Sequence, residues 1–102
     1  MDFNITQRSE IHTHMRDALI NSDYDYYRSL GNTAQALMRE AVHFACMKKP
    51  LKPKIEEERF KDSDGNEIVK EWYVFKLDLY HPVLHDKITL ERKLLKTKVD
   101  SW

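Results

Sequence analysis

The sequence is short of residues that break a chain or staple it: two glycines, three prolines and one cysteine among 102 residues. A lone cysteine, Cys46, cannot close an intramolecular disulfide, which points to a reducing compartment. So few glycines and prolines, with no internal repeat, exclude low-complexity and extensively disordered classes. No run approaches the roughly 18 to 20 apolar residues that cross a bilayer. The opening Met1-Asp2-Phe3-Asn4 also lacks the charged and apolar regions of a secretory leader, so a cytoplasmic protein with no membrane partner is expected.

An excess of either charge is missing too. Seventeen basic side chains face seventeen acidic ones, which removes the long-range attraction to phosphate that a basic protein exerts. Absent as well are a Gly-rich phosphate loop, a nucleophile elbow, a paired CxxC and an HExxH motif. No pattern names a nucleophile with its base, so a protein that is not an enzyme and holds no cofactor is expected.

What is present is 41% apolar residues in 12.2 kDa, enough for one small domain over 1–102 with a single core. Ile11, Met15, Ala18 and Leu19 recur at helical spacing and predict a first helix over 5–19. Ser22 and Asp25 read as a cap and first-turn carboxylate of a short second helix over 23–30, with Gly31 as its stop. Asn32 or Thr33 is expected to cap a third helix, whose apolar surface runs from Ala34 to Cys46 and ends at Lys48, Lys49 and Pro50. This gives a helical part over 1–49.

Pro50 and Pro53 forbid helix continuation and predict a basic extended linker over 50–54. The remainder, 55–102, alternates as β structure: a polar strand over 55–60, a turn over 62–66 with Gly65 at its positive-φ position, and a long strand over 67–80. After Pro82, a third strand over 87–99 is expected, with Ile88, Leu90 and Leu94 on one face; a C-terminal helix is the rival assignment on propensity. The fold class is therefore α+β, an N-terminal three-helix group packed on a C-terminal antiparallel meander of two or three strands.

The long strand is apolar on both faces. Val69, Tyr73, Phe75, Leu77 and Leu79 share one, and Ile68, Trp72, Val74 and Tyr80 share the other. Three helices cover only one face. The second is left for the C-terminal Leu95, Val99 and Trp102, for a second copy, or for a partner protein. Ile68, Trp72, Val74 and Tyr80, with Tyr24 from the acidic tyrosine-rich segment, are the candidate partner-binding residues. Lys48, Lys49, Lys52 and Lys54 form a candidate basic edge. Residues 31–54 carry one acid against five bases, while 55–71 carry seven acids against three, a bipolarity suited to docking or self-association.

The leading expectation is a non-enzymatic protein-interaction module, a homodimer, acting as a small regulator or inhibitor of a larger machine, as phage-encoded proteins of this size do. The order of helices, the turn Leu30-Gly31-Asn32-Thr33 and a hairpin tip over 61–66 resemble a winged helix-turn-helix. That resemblance implies nucleic-acid binding through the basic linker and Arg39. Tyr27 at the helix contact, a mostly apolar third helix and acids in the tip rank it second. A third reading gathers His43, Cys46, His81 and His85 into a zinc site, although Cys46 is more economically a core residue and no metal ligand is assigned. His12 and His14, two apart, are expected to be exposed. Asp62 to Glu67 fails the calcium-loop register, because the required glycine falls on Glu67 and the bidentate acid on Tyr73.

Overall fold

The computed structural model describes residues 2–22, 24–80 and 87–102. Three helices, α1 (Ile5–Ser22), α2 (Tyr24–Ser29) and α3 (Asn32–Met47), precede β1 (Lys54–Lys61), β2 (Glu67–Tyr80) and β3 (Lys87–Leu95), and α4 (Lys96–Asp100) closes the chain. The strands form one antiparallel sheet in the order β1-β2-β3. This is the expected α+β arrangement with a three-stranded meander.

Local chemistry sets the element boundaries. Asn4 and Gln7 make a reciprocal capping box, the Gln7 N–H donating to Asn4 Oδ1 at 2.8 Å and the Asn4 N–H to Gln7 Oε1 at 2.9 Å. Two donors that the first turn of α1 leaves without intrahelical partners are thereby satisfied. α1 runs on to Ser22, the residue expected to cap α2. α3 starts at Asn32, and its N-cap is Gly31 in an extended conformation with no side-chain cap, in place of the expected Asn32 or Thr33. Its C-terminal carbonyls are instead gathered by Arg8, whose Nη1 donates to Cys46 O at 2.7 Å and Lys49 O at 2.9 Å.

Of the proline-containing stretch, Lys54 is not linker but the first residue of β1. Gly65 takes φ +80° in the turn between β1 and β2, and Asp62 Oδ1 accepts the N–H groups of Asp64 and Asn66. The third strand stops at Leu95 and the next five residues are helical. The expected third strand therefore holds to Leu95 and not to Val99, and the rival helix, expected from Asp86 onward, forms only over Lys96–Asp100.

One core lies between the helices and one face of the sheet, with α1 over β3 and α3 over β2. Ile11, Met15 and Leu19 of α1 and Met38, Val42 and Cys46 of α3 meet Tyr73, Phe75, Leu79, Leu90 and Leu94. Phe3 packs edge-on to Tyr73 with ring centroids 5.6 Å apart. On this same side α4 returns: Val99 is fully buried and Asp100 Oδ1 accepts the Tyr73 hydroxyl at 2.8 Å. Burial pushes the Tyr73 phenol up, and its bond to Asp100 adds to the rise.

Every residue of β1 is exposed. The helices do not reach it, and the β1–β2 hairpin projects past them as a two-stranded arm. The radius of gyration is 16.0 Å and the extents are 53 × 29 × 17 Å, against about 13 Å for a compact domain of this length.

Candidate functional site

Strand alternation and register together define what the uncovered face presents. Side chains opposite one another across a ladder share a face. The pairs Phe60↔Ile68, Glu56↔Trp72, Lys54↔Val74, Trp72↔Leu95 and Val74↔Lys93 all fall on the side away from the helices. Ile68, Trp72 and Val74 thus form an apolar row along β2, flanked by Phe60 on β1 and Leu95 on β3. The strand's expected division into two faces is what the register gives.

Intramolecular cover of this face by the C-terminal residues does not occur as weighed. Leu95 lies on the face itself, beside Trp72. Val99 is buried in the core on the helix side, and Trp102 packs against that same core, stacked on His14 with centroids 5.9 Å apart. The turn into α4 directly after Leu95 carries the chain end round to the helix side.

Lysines roof the apolar row. Lys93 Nζ sits 5.1 Å from the Trp72 ring centroid and 3.5 Å from Glu56 Oε2, and Lys70 Nζ lies 5.4 Å from the Phe60 ring. Long alkyl stems shield aromatic surface while their ammonium groups stay in water. Beneath this roof Trp72 Nε1 is shut off from solvent with no acceptor among the described residues. A buried donor left without an acceptor costs about 1 to 3 kcal/mol. Phe60 remains 38% exposed and Tyr80, at the far end of the row, 61%.

The other candidate residues are distributed differently. Tyr24 opens α2, and its expected exposure lies outside what is described. Lys48 and Lys49 follow the end of α3, with Lys49 Nζ 5.4 Å from the exposed Phe44 ring. Lys49 and Lys52 line one cleft between the linker and β2. Lys54 points to the sheet face beside Val74. Of the four zinc candidates, His81 and His85 lie outside the described residues. Cys46 is fully buried, its thiol pushed up to about 11 by desolvation, which is the opposite of a ligand poised to lose its proton. No group of three or more His, Cys, Asp or Glu side chains among the described residues is placed to hold a metal ion.

A juxtaposition that sequence reading missed lies on the outer side of α1 and α3. His12 meets His43 edge-on at 5.1 Å, in a shallow depression with Arg16, Arg39 and Glu40. Burial holds the His12 imidazole below its ordinary range, and the charges of His43 and Arg16 add to the effect. Neither His12 nor His14 is exposed as expected; both are half-buried. The 31-residue separation of His12 and His43 gave no spacing signal. Arg39, the residue offered to phosphate in the winged-helix reading, donates to the Tyr27 hydroxyl. Only one residue separates α1 from α2, so the strand that follows the first helix in that family has no room there.

No protein-family model, curated protein or solved structure matches this chain.

Proposed function

We propose that the chain is a non-enzymatic protein-interaction module that self-associates through the sheet face centred on Trp72. It acts as a small regulator or inhibitor by occupying surfaces rather than by chemistry. The observation that carries this reading is the row Ile68, Trp72 and Val74 with Phe60 and Leu95 beside it, on the one sheet face that no described element covers. A second copy is the occupant that its charges favour. Lys54, Lys70, Lys76, Lys87 and Lys93 share the face with Glu56, Glu58, Asp78 and Glu91, so a second copy brings both signs to a face that carries both. Face-to-face packing of two such sheets is the ordinary route to burying them.

Light scattering at micromolar concentration tests the reading. The wild type is expected at twice the mass of the chain. Trp72→Glu is expected at the mass of one chain with its circular dichroism retained, because Trp72 lies outside the core. A wild type that runs as a monomer at all accessible concentrations, or a Trp72→Glu variant that remains dimeric, would remove this surface from the proposal.

A further inference from the structure

Where β1 begins, the neighbouring strand is left without company on that side. The β1 ladder closes at Lys54↔Val74, whereas β3 accompanies β2 as far as Tyr80↔Lys87. Next in register, opposite Phe75, is Pro53. Proline has no N–H to offer a ladder and confines the residue before it, so the chain leaves the sheet there. Backbone groups along 75–78 that point away from β3 consequently have no strand partner among the described residues. Such an edge is a template for an incoming strand.

This edge is walled. Linker residues Pro50, Lys52 and Pro53, together with Ala45 of α3, face Phe75 to Asp78 across a cleft of about 190 Å³. The wall is also fixed: Leu51 is buried in the core, and Arg8 holds the carbonyl oxygens of Cys46 and Lys49. A groove formed before its ligand arrives spares the binding step an ordering cost. Its charge is one-sided. Lys49, Lys52 and Lys76 make no ion pair among the described residues, while the lone acid, Asp78, is engaged by Thr89 Oγ1 at 2.8 Å and Lys87 Nζ at 3.9 Å.

We infer that this cleft captures an extended acidic segment of a partner protein, which adds as a further strand beside 75–78 and sets its carboxylates against Lys49, Lys52 and Lys76. Alternate residues of such a strand would point to the helix side, where Ala45 beside the half-buried Leu77 leaves room for short apolar side chains. The inference rests on the reading of the chain as a binding module; the cleft adjoins the Trp72 face at Lys76 and Asp78 but does not include Trp72.

The test selects binders from a phage-displayed library of random dodecapeptides on the full-length chain. One selected peptide, synthesised, is then measured against the wild type, Lys49→Glu/Lys52→Glu and Trp72→Glu. Acid-rich peptides are expected, with amide exchange slowed along 75–78 on binding. The double charge reversal should weaken affinity by about tenfold or more, from two lost and two repulsive exposed pairs, whereas Trp72→Glu should leave it unchanged. A selection without binders, or affinity indifferent to the charge reversal, would overturn the inference. Protection centred on Trp72 instead of 75–78 would overturn the edge site and leave the module standing. A wild-type dimer lost in the double variant would put a second copy in the cleft, and that too would overturn it.

Discussion

Cys46 shows how much of a residue's role is decided by what surrounds it. Its fully buried thiol releases its proton only near 11, against an ordinary 9.0. The unfolded chain therefore loses this proton between those values while the native state keeps it. With fewer protons bound in the unfolded state, stability falls as pH rises from about 9 to 11, having been fully present below 9. Urea denaturation at pH 7 and pH 10 is expected to show this decline in the wild type. Cys46→Ala should cost about 1 kcal/mol at pH 7 and show a shallower decline. A slope unchanged by the substitution would assign the alkaline loss to other groups, Tyr73 first among them. The burial of Cys46 was legible from its place beside Val42 and Ala45 in a helical apolar pattern. The His12–His43 contact was not, because it depends on how α1 and α3 are laid together, and neither helix's own period encodes that.

At the scale of elements, the turn chemistry was the clearest signal. Gly65 sits at φ +80° with nothing within 4 Å of the position a Cβ would take. The cost of Gly65→Ala is therefore conformational rather than steric: about 1 kcal/mol or somewhat more for a left-handed residue with a side chain. Gly65→Asn should recover part of it, since asparagine tolerates that region. Chemical denaturation of the two variants decides the matter; equal losses would mean that strain is not the cause. The β2 limits, Glu67–Tyr80, followed from alternation bounded by a turn and Pro82. The break after Leu95 did not, because Val99 continues an apolar sequence whether the chain runs on as a strand or coils. Only the core beside Tyr73, which accepts Val99 from a helix, decides between them. Lys54 was assigned to the linker because proline precedes it, yet a proline ends a ladder at its own position and leaves the next residue free to pair.

Across the whole molecule, cohesion is uneven. The sheet beneath the helices is sealed by the core, while the arm of β1 and the first residues of β2 has water on both sides, apart from the roofed row around Trp72. A two-stranded ribbon alone is marginal, so amide exchange in β1 is expected to be faster than across the β2–β3 register from Ile88 to Leu94, on the order of a hundredfold. If the arm's inner row packs against a second copy, that exchange must slow as protein concentration rises, and Trp72→Glu must abolish the dependence. Exchange in β1 as slow as in β3 at low concentration would mean that the arm is stabilised from within. The sequence made both faces of β2 visible, but not that the arm outruns its helices. That follows from helix placement, which leaves all eight β1 residues exposed.

The first turn of α1 ties distant parts of the chain together. Gln7 Nε2 donates to Val99 O at 3.1 Å, and its neighbour Arg8 holds Cys46 O and Lys49 O. Two adjacent residues thus wait on partners 92 and about 40 positions downstream. During synthesis, α1 can coil as soon as it emerges, but it cannot complete its docking until β3 and α4 have followed it. Its apolar stripe of Ile11, Met15 and Leu19 finds part of its cover once α3 has followed, and the rest only when the sheet has formed. For this chain the order in which the ribosome delivers the segments runs against the order in which the fold can close.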